Sequence, residues 1–160
     1  MEQSRLPPPT SARRTVRLSF TFPGRATRTE FATYILATLL ISVPVSVVTG
    51  LVLPYDRHLL VGNVLAVLLG IPVPALLARR IHDQGRDGRL AWLALPGIAL
   101  WLARTAISGA LGLDARMRFD QAISLVDWLV VLSNIALTLL VILPGTAGEN
   151  RYGADPRQRS

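Results

Sequence analysis

The residues of this chain that could do chemistry are mostly arginines and carboxylates, and they fall in three short polar segments. Residues 22–31 contain Arg25, Arg28 and Glu30, residues 79–89 contain Arg79, Arg80, His82, Asp83, Arg86 and Asp87, and residues 144–156 contain Glu149, Asn150, Arg151 and Tyr152. A guanidinium is a planar fork of donors that matches a carboxylate or a phosphate through two parallel hydrogen bonds. Such groups support two uses. One is a hydrogen-bonded clasp that fixes helix ends, whose orphan backbone groups need partners. The other is a site for anionic lipid headgroups or a phosphorylated ligand. The clasp is the primary expectation, built from Arg25, Arg28, Glu30, Arg79, Arg80, His82, Asp83, Asn150, Arg151 and Tyr152.

Catalytic machinery is harder to find. His82 beside Asp83 supplies two metal-ligating groups, but a metal site needs several convergent ligands, and the other histidine, His58, is expected on the opposite side of the molecule. The chain has no cysteine, hence no thiolate site, disulfide or thiol nucleophile. It has no lysine for a phosphate-binding loop and no Gly-x-Ser-x-Gly elbow. These residues predict a protein that is not an enzyme and carries no cofactor or metal.

The elements that must hold the polar segments together are apolar runs. Hydrophobic residues make up 51% of the 160, above the usual share in soluble domains, and they are concentrated rather than spaced at helix or strand period. Phe31 to Leu53 is uncharged over twenty-three residues; at about 1.5 Å rise each it exceeds a hydrocarbon core of roughly 30 Å. Leu59 to Ala78 is a second uncharged run, joined to the first by a five-residue link that implies an antiparallel hairpin. A third span is expected over 90–107 and a fourth over 123–143. Pro44, Pro72, Pro74 and Pro96 predict kinks, while Asn63, Ser133, Asn134 and Thr138 are expected to pack between helices. The fold expected is therefore all-α and integral to a membrane, with a four-span domain over 18–156. Residues 1–17, with three consecutive prolines and few apolar side chains, read as a disordered tail that leaves Arg13 and Arg14 outside the clasp. A short tail is expected over 157–160.

All seventeen basic residues are arginine, for a net charge of +7. Their placement argues against nucleic acid as a partner, because they sit at the ends of apolar runs instead of on one soluble face. Thirteen lie in the N-terminal segment, the second polar segment and the C-terminal tail, against four elsewhere, namely Arg57, Arg104, Arg116 and Arg118. The positive-inside rule then puts both termini in the cytoplasm. Arg104 and Asp127 interrupt the third and fourth spans. Counted from Leu90 and Leu143, they stand at heights of roughly 21 and 24 Å, less than one helical turn apart, and this predicts an intramembrane pair.

Gly-Arg-x-x-Arg-x-Glu-Phe at Gly24–Phe31, Arg-Arg-x-His-Asp at Arg79–Asp83, and Pro-Gly ahead of Asn-Arg-Tyr-Gly at Asn150–Gly153 occur in this order along the chain. Together they resemble the signature of the bacterial family called domain of unknown function 805, the small inner-membrane proteins of YhaH type. The chain departs from that pattern at Ala32, where the family usually has tryptophan, and at Asp87, Arg89 and Leu90, which replace a serine-glycine-tryptophan pattern. The resemblance implies a multi-span bacterial inner-membrane protein and assigns it no activity. The function expected is structural, regulatory or partner-binding, with the bilayer and its anionic headgroups, a membrane-protein partner or a second copy of the chain as partners. A small transporter or channel, or an anionic-lipid-binding protein, is the alternative.

Overall fold

The computed structural model describes residues 11–159, and among the described residues it contains helices and turns but no strand. Thr27 starts the first long helix, α2 (Arg28–Val52), which follows the short α1 (Ser11–Arg17). The sequence Thr-Arg-Thr-Glu gives α2 an N-terminal cap in which the Thr27 hydroxyl accepts the Glu30 N–H at 3.0 Å. In a full capping box the glutamate turns back to the cap residue. Here its carboxylate instead faces Arg14, Thr15 and Arg79.

The link at Pro54 returns the chain into α3 (Tyr55–Gly70), and α4 (Val73–Asp83) continues the same crossing after a break at Ile71–Pro72. Pro72 and Pro74 lack the N–H groups that would bond carbonyls one turn earlier. Tyr34 of α2 donates its hydroxyl to the Leu69 carbonyl at 2.8 Å beside this break, so a neighbouring helix satisfies backbone there. At the other end of the hairpin, Thr49 Oγ1 and His58 Nδ1 are 2.9 Å apart.

A 3₁₀ segment (Gly88–Ala94), capped by Asp87 Oδ1 accepting the Arg89 N–H at 2.9 Å, leads into α5 (Leu95–Leu111). Gly112, at φ +83°, turns the chain into the short α6 (Leu113–Ala122), and α7 (Ser124–Ile142) makes the last crossing. Among the described residues four helical stretches are thus long and apolar enough to cross a membrane: Arg28–Val52, Tyr55–Asp83, Gly88–Leu111 and Ser124–Ile142.

Burial is concentrated at one end of the bundle. Ala75 to Ile81 of α4 are all buried, as is Asp83. Leu76 packs with Ala26 and Tyr34, while Leu77 and Ile81 pack with Leu137 of α7, and Phe31 touches both groups. By contrast, the most apolar stretches of α2 and of the third crossing contain no buried residue. Their leucines, valines and isoleucines form outward faces far larger than a soluble protein leaves bare. Lipid is the solvent that suits them.

Several boundaries differ from the sequence reading. Residues 1–10 of the expected disordered tail lie outside the described residues, but Ser11–Arg17 form a helix rather than coil. The second crossing runs to Asp83 instead of ending at Ala78, which puts Arg79, Arg80 and Asp83 on a helix, where Arg80 and Asp83 pair at i,i+3. The third begins at Gly88 and ends at Leu111, outside the expected 90–107 on both sides. Helix α6 has no counterpart among the expected spans, and Pro156–Arg159 form a 3₁₀ segment that takes in most of the plain tail expected over 157–160.

Candidate functional site

Asp83, 2% exposed, stands at the centre of the polar end. Its Oδ1 accepts Arg25 Nε at 2.9 Å and its Oδ2 accepts Arg80 Nη1 at 2.6 Å. The remaining donors of these arginines go to backbone. Arg25 reaches the carbonyls of Gly148 and Thr146, both at 2.6 Å, and Gly153 at 3.3 Å. Arg80 reaches Val141 at 3.0 Å and also Leu143. The orphan carbonyls at the end of α7 thereby obtain donors, helped by Gln84, which donates to Leu140.

The same helix end is tied to the tail through main chain. The Asp83 carbonyl accepts the Thr146 N–H at 2.8 Å and its hydroxyl at 3.0 Å. Gly145 is required by contact, because a methyl group there would overlap the Asp83 carboxylate. Asn150 donates to the His82 carbonyl at 3.1 Å and to Thr146 Oγ1 at 2.9 Å, and pairs with Gly153 as an isolated bridge.

Glu30 holds a second cluster. It accepts Arg79 Nη1 at 3.1 Å, Thr15 Oγ1 at 3.1 Å and Arg14 Nη1 at 3.0 Å. Both Glu30 and Arg79 are buried, and Arg79 Nε and Nη2 are enclosed without a hydrogen-bond partner. The Arg79 carbonyl accepts the Ala26 N–H at 3.0 Å, which lays the N-terminal segment along α4.

His82 stacks on Tyr152 with ring centroids 3.8 Å apart and planes 13° from parallel, and the Arg151 guanidinium lies 4.8 Å from the Tyr152 centroid. His82 Nδ1 is 3.2 Å from the Gly24 carbonyl; a carbonyl only accepts, so Nδ1 carries the proton. Gly88 lies so close that a side chain there would strike the imidazole. Outside the crossings, Asp155 is held down to about 2 by hydrogen bonds from the Arg157 side chain and N–H, with a further one from the Gly148 N–H.

Of the residues expected to share one site, the structure gathers Arg25, Arg80, Asp83 and Asn150 around the tail, Glu30 and Arg79 beside α1, and His82, Tyr152 and Arg151 in a stack. Arg28 stands apart: it is exposed and touches the Ile142 carbonyl at 3.3 Å. Arg14, read as tail, pairs with Glu30. Thr15, Thr146, Asp155 and Arg157 were missed as well. The Arg157 guanidinium bonds Asp155 at 2.8 Å and the Thr146 carbonyl at 2.6 Å. Glycine next to polar residues in 144–156 was the available signal for this tail, but no helical or strand period marked what it would pack against. Among the described residues no three histidine, aspartate or glutamate side chains converge as metal ligands do.

At the opposite end Arg104 donates to Asp127 and, through Nε at 2.6 Å, to Asp120 of α6. Asp120 is pulled below the usual carboxylate range, first by its hydrogen bond from Arg104. The expected partner is in contact, and a second one comes from the helix that sequence reading missed.

Four apolar crossings closed at one end by buried arginine–carboxylate pairs define a small multi-pass helical membrane protein. The chain belongs to the family described as protein of unknown function (DUF805), whose profile matches residues 19–154, the region carrying the three motifs. Inner membrane protein YhaI of Escherichia coli K12 is 31% identical over 139 residues, covering 85% of this chain and 86% of that protein. The protein of the same name from E. coli O157:H7 aligns to the same extent. No solved structure matches the chain. The protein described here is a multi-pass protein of the inner membrane.

Proposed function

We propose that the protein is not an enzyme but a membrane scaffold with a structural, regulatory or partner-binding role, and that its arginine-rich end is the cytoplasmic face. One observation carries this reading. The carboxylate at the centre of the site is consumed internally: Asp83 is saturated by Arg25 and Arg80, whose other donors hold carbonyls of the tail and of the end of α7. No nucleophile sits beside a general base in this arrangement, and its net effect is to join the N-terminal segment, α4 and the tail. The apolar faces of α2 and the third crossing are free for lipid, a membrane-protein partner or a second copy.

Affinity capture of the full chain from mild detergent, followed by lipid and protein mass spectrometry, tests the reading. One stoichiometric protein partner or a homo-oligomer, kept by Arg86→Ala and lost when Asp83→Ala opens the clasp, is the expected result. A co-purifying small solute would favour transport instead, and a turnover activity that fell in Asp83→Ala at unchanged folded yield would reject the scaffold reading.

A further inference from the structure

Between α2 and α7 lies a groove of about 580 Å³, floored by α4 and lined by Ala32, Leu36 and Leu39 on one side and by Leu77, Leu137 and Val141 on the others. Its walls are overwhelmingly apolar. Thr138 meets it with its hydroxyl already bonded to the Asn134 carbonyl at 2.8 Å, and the Asn134 amide abuts Gly97 of α5. At the clasp end the wall is completed by Arg28. This exposed guanidinium makes one long bond, to the Ile142 carbonyl at 3.3 Å, and has no carboxylate partner among the described residues. Two further guanidinium groups at this end, Arg25 and Arg80, share the single carboxylate of Asp83. The mouth of the groove is therefore cationic.

We propose that this groove binds one anionic phospholipid, with its phosphate on Arg28 and one acyl chain between α2 and α7. Length supports the assignment. From Arg28 to Leu39 the groove follows α2 for roughly 16 Å at about 1.5 Å per residue, which is one leaflet's half of a core of about 30 Å. The apolar walls suit an acyl chain. Charge selects the headgroup: Arg28, with one long bond to a carbonyl and no carboxylate partner among the described residues, can present its fork to a phosphate, and a net-anionic headgroup brings no ammonium cation to this cationic mouth.

The test uses the full chain in nanodiscs of phosphatidylcholine with a minor share of phosphatidylglycerol, extracted into mild detergent and examined by native mass spectrometry. The wild type should retain about one phosphatidylglycerol per chain in preference to phosphatidylcholine. Arg28→Gln should lower that retention about tenfold, the size expected for losing one charge-assisted contact, while Arg86→Gln, on an exposed arginine outside the groove, should not. Ala32→Trp fills the groove and should displace the lipid with Arg28 intact, folding being followed by circular dichroism melting. If Arg28→Gln does not fold, Ala32→Trp decides alone. Equal retention of the two lipids, retention unchanged by Ala32→Trp, or a lipid-free dimer cross-linked through Leu36→Cys would each overturn the proposal.

Discussion

Asp83 shows what one buried carboxylate does between two guanidinium groups. Removing it leaves both arginines charged and enclosed, a situation that costs about 3–5 kcal/mol for a buried pair. Asp83→Ala should therefore lower folded yield in detergent well below that of an exposed change such as Arg86→Ala, as read by monodisperse yield on size exclusion. Gly145→Ala should resemble it, because the new methyl collides with the same carboxylate. The Arg104 cluster is open to a different measurement. A double-mutant cycle of Arg104→Leu and Asp127→Leu, followed by unfolding in detergent, should give coupling of about 0.5–3 kcal/mol. A cycle of Arg104→Leu with Asp120→Leu should couple too, since both carboxylates hold the same guanidinium; strictly additive effects in the two cycles would dismiss the contacts. Asp155 supplies a pH dependence. Its folded-state value of about 2 lies below the ordinary 3.8. The stabilisation it contributes is therefore complete above 3.8 and lost as pH falls toward 2. Protease protection of the C-terminal segment should fall through that window in the wild type and be weaker, with less pH dependence there, in Asp155→Asn.

Among the elements, α4 is the one against which α2, α3, α7 and the 3₁₀ segment Gly88–Ala94 pack. It is interrupted from α3 by prolines, buried over most of its length, and carries members of both ion-pair clusters of the clasp end on its last turns. Tyr34 bridges the proline break, so Tyr34→Phe should cost about 0.5–1.5 kcal/mol, the usual net worth of one hydrogen bond. Hydrogen exchange should rise locally around Leu69 to Val73 and leave α7 unchanged. Helix α1 is held by Arg14 and Thr15 on Glu30, and Arg14→Ala should expose it to proteolysis while Arg13→Ala does not. The two substitutions separate a docked helix from a free tail.

For the whole molecule, the arginine asymmetry and the meeting of both ends at the clasp bear on topology together. Hydrogen bonds from Arg25 to Gly148 and Thr146 put the N- and C-terminal segments on one face. Cysteine labelling in intact cells should then modify Arg57→Cys and Arg116→Cys from outside and leave Arg86→Cys protected; labelling of Arg86→Cys would reverse or break the arrangement. Arg86 is the suitable probe at the clasp end because it is exposed, whereas Asp83 is buried in the clasp.

The four crossings, the all-α class and the family are legible in the amino-acid order alone. Uncharged apolar runs of twenty-three and twenty residues over Phe31–Leu53 and Leu59–Ala78 are long enough to span lipid as helices, the two runs interrupted by Arg104 and Asp127 complete the set, and the Arg79–Asp83 and Asn150–Gly153 motifs are contiguous. The same order also placed Arg104 and Asp127 at one height, because helical rise is constant. Which arginine meets which carboxylate depends on how the tertiary structure packs. Arg25 and Asp83 are 58 residues apart, and composition cannot tell a saturated fork from a free one. Tertiary structure placed Arg14 on Glu30 and brought Asp120 to Arg104 through a short helix lacking a strong apolar period. It also left Arg28 without a carboxylate partner among the described residues, at the mouth of a groove made by packing three helices whose contacts no local pattern encodes.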